Sequence, residues 1–196
     1  MLTTNTLILI FWTLLSTFGT LVYLRDVWKW HTTPHSFTWF IWSLIQAIAF
    51  GIQLSNGGGW GSVIMGWNTL GAVLIFLSSL KYKGSMIRKI DYVYLILSLL
   101  SLVLWLVFDI PVISVILLIF VDFFAYIPTI RKSYSVPHQE TLLAYITGTL
   151  ALVTSLYTFD SWTFVNYGSP LAIVVLNAFF VAFVLIRRRQ IQNKAS

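Results

Sequence analysis

Tyr23-Leu-Arg-Asp-Val-Trp-Lys-Trp-His-Thr-Thr-Pro34-His35 is echoed by Tyr126-Ile-Pro-Thr-Ile-Arg-Lys-Ser-Tyr-Ser-Val-Pro137-His138, with the same Tyr-to-Pro-His spacing. The offset that takes Tyr23 to Tyr126 also takes Thr38 to Thr141 and Trp42 to Tyr145. In each copy an apolar run ends at the Tyr and a basic loop follows. Pro-His then opens the next apolar run, where proline is tolerated because a first-turn amide has no helical partner. An internal repeat sets the architecture, since each copy is one packing unit.

Working outward, seven apolar stretches are bounded by polar or Gly/Pro punctuation: residues 7–24, 36–54, 61–80, 92–108, 111–130, 141–159 and 163–186. About 20 residues at 1.5 Å rise cross the roughly 30 Å hydrocarbon layer, so all seven are of spanning or near-spanning length. Composition agrees. Hydrophobic residues make up 58% of the chain and charged residues 9%, against about 25% charged in a soluble domain. A water-soluble chain of this size has too much surface to hide that apolar content.

The charges test the segmentation. Arg25 and Lys29 follow the first stretch; Lys81, Lys83, Arg88 and Lys89 follow the third; Arg131 and Lys132 follow the fifth. Arg187, Arg188, Arg189 and Lys194 follow the seventh, and the alternate connections hold no Lys or Arg. The positive-inside rule then predicts an outside N-terminus and a cytoplasmic C-terminus. The expected fold is an all-α membrane protein with seven transmembrane helices arranged three plus one plus three. Residues 1–83 form the first triple-helix bundle, 84–109 the linker helix, and 110–196 the second bundle with its basic tail. The odd helix gives both triplets the same orientation, and parallel repeats of this kind enclose a site near mid-membrane.

The whole plan resembles the PQ-loop and SWEET (MtN3-type) superfamily, in an uncharacterised bacterial branch. Locally, Ala125-Tyr126-Ile127-Pro128-Thr129-Ile130-Arg131-Lys132 is similar to the Pro-Gln-x-x-basic signature of that superfamily, with Thr129 in place of the Gln. The first repeat has Leu24-Arg25 at the corresponding place. The resemblance implies alternating access by two rocking triplets with proline hinges, of which Pro34 and Pro137 are symmetric here. It also implies an asparagine facing the solute from the last helix of each triplet, which points to Asn68 and Asn177. An amide offers two donors and two acceptor sites, suited to a neutral polar solute.

Asp122 is the most informative single residue. Roughly 13 Å of helix separates it from Arg131, and a carboxylate at that depth costs about 2.5–3.5 kcal/mol to insert. Such residues face a bundle interior, so Asp122 is either a proton-coupling or solute-binding group or a structural hydrogen-bond partner. Tyr126, one turn on, is a candidate gate with Tyr23 as its counterpart; both also fit an interfacial tyrosine belt. Pro128 removes the amide that the Phe124 carbonyl would use, which makes it a hinge or a helix end. Trp42 with Gln46 one turn beyond it, and Trp67 beside Asn68, complete the solute-binding candidates.

Other chemistries are excluded or weak. There are no cysteines, so thiol catalysis and thiolate metal sites are absent. Gly57-Gly58-Gly59 lacks the strand-to-helix setting of a phosphate loop. The three histidines lack a supporting carboxylate pattern, and no metal or cofactor is expected. The basic clusters read as topology signals and lipid-headgroup contacts rather than a nucleic-acid surface. The expectation is therefore a non-enzymatic multi-pass protein of the plasma or inner membrane, moving a small-molecule solute. Self-association into a homo-oligomer is left open. Two other readings stay beside it: a nicotinamide-riboside-type vitamin carrier, and a non-transporting receptor or assembly factor.

Overall fold

The computed structural model describes residues 4–82, 88–108 and 110–195. Among them the chain forms seven α-helices and no strand: α1 (Thr4–Trp28), α2 (Ser36–Ser55), α3 (Gly59–Ser79), α4 (Lys89–Val107), α5 (Pro111–Ser135), α6 (Leu142–Ser155) and α7 (Phe164–Ala195). Short 3-10 turns precede and extend α6, at Pro137–Gln139 and Leu156–Thr158. Five helices, α1, α2, α3, α5 and α7, are long and apolar enough to cross a membrane. In an apolar medium a helix satisfies its own backbone, which is why long apolar runs take this form. Lys83, and the expected unit boundaries near residues 83–84 and 109, lie outside the described residues.

Three helices run on past the expected ends, α7 continuing beyond residue 186 to Ala195. α1 continues beyond Tyr23 to Trp28, and α5 beyond Tyr126 and through Pro128 to Ser135. Both tyrosines are buried inside their helices rather than closing them, and Pro128 does not terminate α5. Thr38 on α2 donates to the Ala125 carbonyl at 2.8 Å, and Thr129 donates to Thr38 at 2.9 Å, tying the helix down beside the proline. α1 ends on a left-handed Trp30 (φ 62°). That costly conformation for a non-glycine residue is held by the Tyr82 ring at 4.8 Å and the Lys81 ammonium at 4.8 Å.

α3 packs against both α1 and α2, and α7 packs against both α5 and α6. α1 lies on α6 and α2 on α5, while α4 rests mainly on the outside of α5. Contacts Ser16–Asn68 and Val27–Tyr82 run α1 parallel to α3, and contacts Tyr126–Asn177 and Tyr134–Arg187 run α5 parallel to α7. Contacts Trp42–Asp122 and Thr38–Ala125 run α2 antiparallel to α5. One end of the bundle, hereafter the basic end, therefore gathers Arg25, Lys81, Arg88, Arg131, Lys132 and Arg188. Large apolar side chains such as Phe18 (51% exposed), Phe120 (53%) and Phe179 (58%) face outward along the helices.

The α1–α6 contact is set by a missing side chain. A Cβ built on Gly19 would lie 2.1 Å from Thr147 Oγ1 and 3.3 Å from the Ala144 Cα. Small residues at a helix crossing let backbones approach closely. Gly19→Val should push α1 from α6 and destabilise the protein by about 1–3 kcal/mol. The check is a lower melting temperature in detergent; an unchanged one would show that the contact is not close in solution.

Candidate functional site

A cavity of ≈ 100 Å³ lies between the two triplets, walled by all helices except α4. Its polar groups come in matched positions. Asn68 on α3 accepts a hydrogen bond at Oδ1 from Ser16 of α1, at 2.6 Å. Asn177 on α7 accepts one at Oδ1 from the Tyr126 hydroxyl of α5. In each triplet a hydroxyl of the first helix thus orients an asparagine of the third. Each Nδ2 is left without a protein partner among the described residues, so both asparagines keep donors for a solute. Gln46 of α2 also lines the space, and its amide makes no hydrogen bond among the described residues.

Asp122 is 3% exposed and belongs to the same wall. Trp42 Nε1 donates to its Oδ1 at 2.8 Å, while Oδ2 is buried with no hydrogen-bond partner. A smaller, water-sized space (≈ 10 Å³) lies on its other side, where the buried Ser169 hydroxyl is also unpartnered. Asp122 and Gln46 line both spaces. Aromatic rings fill the remaining wall. Trp42 lies 5.0 Å from Trp39, 4.7 Å from Tyr126 and 6.3 Å from Tyr145, all in edge-on arrangements.

The basic end is closed beneath this cavity by charge. Lys132 Nζ pairs with Glu140 Oε1, and the two side chains are 3% and 1% exposed. Tyr23 and Tyr145 both donate to Glu140 Oε2 at 3.3 Å. Lys132 also donates to the Thr33 carbonyl at 2.6 Å, in the loop after α1. Arg188 of α7 donates to the Glu140 carbonyl at 2.7 Å. Thr141 adds a hydrogen bond to Asp26 at 2.8 Å and a contact to Thr32 at 2.7 Å. The seal joins the first triplet to the second. At the opposite end the closure is neutral: Gln53 Nε2 donates to the Asn166 carbonyl at 3.0 Å, and Asn166 Nδ2 donates to Ser161 Oγ at 2.7 Å.

Of the residues expected at the site, Asn68, Asn177, Trp42, Gln46, Asp122 and Tyr126 surround one cavity. Trp67 does not line it. One residue along α3 turns a side chain by about 100°, and Trp67 is instead 39% exposed, donating to Thr17 Oγ1 at 3.1 Å. Tyr23 lies below the cavity, in the seal. Pro34 and Pro137 are both buried at the basic end, but they open different structures, since Ser36 starts α2 directly while Pro137 starts a 3-10 turn. Lys132 and Glu140 were not singled out by sequence. A lysine beside an arginine after an apolar run carries the ordinary signal of a wetted headgroup anchor, and only tertiary closure takes it out of water.

The repeat mates His35 and His138 also diverge: His35 is buried and His138 exposed. His35 Nε2 lies 3.4 Å from Asp91 Oδ2 in the first turn of α4. Asp91 also receives the Arg131 guanidinium and, at 2.9 Å, the Arg88 amide. Burial pushes His35 down to about 4 from 6.5, outweighing the opposing pull of Asp91. The contact places the imidazole beside a carboxylate in a setting where burial disfavours its protonated form.

Two predictions follow from these buried groups. Glu140→Gln strands a buried ammonium and should cost about 3–5 kcal/mol; replacing Lys132 by Met in the same chain should recover part of that loss in thermal melts. His35 takes up its proton in the unfolded chain before it does so in the folded one. Its contribution to stability is full above pH 6.5 and is lost as pH falls towards about 4. His35→Gln should flatten that acid slope of the melting temperature, and an unaltered slope would assign it to other groups.

No protein-family model matches the chain, and no curated protein and no solved structure matches it either. The reading of the site rests on its geometry.

Proposed function

We propose that the chain is a SWEET-like or PQ-loop-like transporter with seven membrane-spanning helices, an outside N-terminus and a cytoplasmic C-terminus. It carries a small, mostly neutral polar solute by alternating access between two triple-helix repeats, with α4 as the linker helix. The observation that carries this reading is the polar and aromatic cavity between the triplets, with side-chain contacts spanning the bundle towards either end of it. A mid-bundle cavity with separate closures is what alternating access requires, since one end must open while the other stays shut. The equivalent packing of α3 and α7, each against the two other helices of its triplet, supports the repeat. The ionic seal at the basic end acts as the inner gate and the Gln53–Asn166 contact as the outer one. Asp122, unpaired at Oδ2, couples a proton to the cycle.

The tryptophan pair beside Asp122 favours one narrower reading, a vitamin carrier of the nicotinamide-riboside type, because paired indoles suit a flat heterocycle. Both readings are tested by one thermal-shift panel of sugars, nucleosides, vitamins and amino acids. A ligand at 100 times its dissociation constant stabilises by about 2.7 kcal/mol. Any hit is then followed as uptake into proteoliposomes. Asn68→Ala or Asn177→Ala removes one hydrogen bond of about 0.5–1.5 kcal/mol, a roughly two- to tenfold loss of affinity. Asp122→Asn should abolish the pH dependence of uptake. A blank panel with a stoichiometric protein partner in pull-down would favour a receptor or assembly factor instead.

A further inference from the structure

The cavity wall has one formal charge. Among its lining residues Asp122 is the sole carboxylate, and no Lys, Arg or His is present to neutralise it. The nearest buried cation described below it, Lys132, is already paired with Glu140. Trp42 satisfies Oδ1 of Asp122 with a neutral N–H, and Oδ2 is left with no partner. An ionised carboxylate in a medium of low dielectric is costly without a counter-charge. With a neutral solute, held only through the asparagine amides, that cost is met by a proton on Asp122; a cation meets it directly and leaves the carboxylate ionised.

The surrounding rings point the same way. Trp39, Trp42, Tyr126 and Tyr145 come from α2, α5 and α6 and all line the cavity with Asp122. Aromatic faces carry a negative quadrupole and attract cations, and clustered aromatics beside a carboxylate form the usual receptor for ammonium groups. The tyrosine hydroxyls are turned to other partners, Tyr145 to Glu140 and Tyr126 to Asn177. The rings are thus held in place by bonds that do not use up Asp122. In the same wall, the free Nδ2 donors of Asn68 and Asn177 suit an acceptor, such as a hydroxyl or carbonyl oxygen.

We infer that the cavity is a site for a small organic cation, a quaternary ammonium or protonated amine. The positive charge lies at Asp122 within the Trp39, Trp42, Tyr126 and Tyr145 cage, and an oxygen acceptor faces Asn68 and Asn177. This rests on the reading of the cavity as a solute site but replaces the mostly neutral solute with a singly positive one, Asp122 holding a proton when the cation is absent.

The test is calorimetric titration of the full chain in lipid nanodiscs with choline, with tetramethylammonium, and with dimethylbutanol, the uncharged isostere of choline. Choline should bind about tenfold or more tighter than its isostere, a preference set by charge alone because the shape is the same. Asp122→Asn should erase that preference, and Tyr145→Leu should weaken choline binding while sparing the Trp42–Asp122 bond. Comparing the charged and uncharged probes on the unaltered protein decides the matter even if a variant does not fold. Equal binding of the isosteres, no binding of any probe, or choline binding undiminished in Asp122→Asn overturns the cation site. A neutral sugar or nucleoside carried into proteoliposomes alongside such a result leaves the transporter reading standing. Choline bound in nanodiscs but not exchanged across proteoliposomes keeps the cation site and removes transport.

Discussion

Lys132 and Glu140 meet where neither side chain reaches solvent, and much of the bundle is arranged around keeping them together. Separating two such charges in a medium of low dielectric costs several kcal/mol per ion, so the end of α5 and the start of α6 are bound to one another. Glu140 draws in the hydroxyls of Tyr23 and Tyr145, and Lys132 takes the Thr33 carbonyl beyond α1. The contact therefore reaches both triplets. It also sets the register above it, because Tyr23 and Tyr145 pack on the ring cluster that contains Trp39 and Trp42. A shift of one helical turn at the seal would carry Trp42 away from Asp122.

The cavity inherits its character from that register. Its rings are fixed by hydrogen bonds at their edges, and its asparagines by one hydroxyl each, so the groups left over are few and specific. They are two amide donors, the Gln46 amide, the Thr20 hydroxyl and one carboxylate oxygen. On the reading proposed above, a site of this composition suits a ligand with an aromatic or cationic part and an acceptor part. The contrast between the two closures has a mechanical sense. The basic end is held by charge in a buried setting, while the opposite end is held by neutral amide and hydroxyl contacts that exchange with water at little cost.

Much of the candidate site was legible because asparagine, aspartate and glutamine are conspicuous in apolar helices: a polar group there has to be placed deliberately. Asp122 was visible for that reason, and Tyr126 followed from its spacing one turn away. Trp67 does not share the cavity with Asn68, since neighbours on a helix face different directions. Lys132 and Glu140 were invisible as a pair because the sequence near a helix end looks the same whether the end is wet or folded over. The matching Pro-His pairs were read as equivalent, and the structure makes them unlike: His35 is covered by α4, which packs on α5 and has no counterpart in front of His138.

Local properties of the chain determined by themselves where helices form. In an apolar medium a long apolar run satisfies its backbone as a helix, so the approximate place of each helix follows from composition, while the ends of α1, α5 and α7 lie beyond the apolar runs and Pro128 and Pro170 sit inside helices. The alternation of basic connections is likewise a property of the linear order. Tertiary structure alone decided which faces meet: that Trp42 supplies the hydrogen to Asp122, that Tyr126 orients Asn177, and that Lys132 is buried against Glu140. Those outcomes depend on the rotation and register of one helix against another. They are settled by many small packing terms, such as the bare Gly19 against Thr147, spread over residues far apart in the chain.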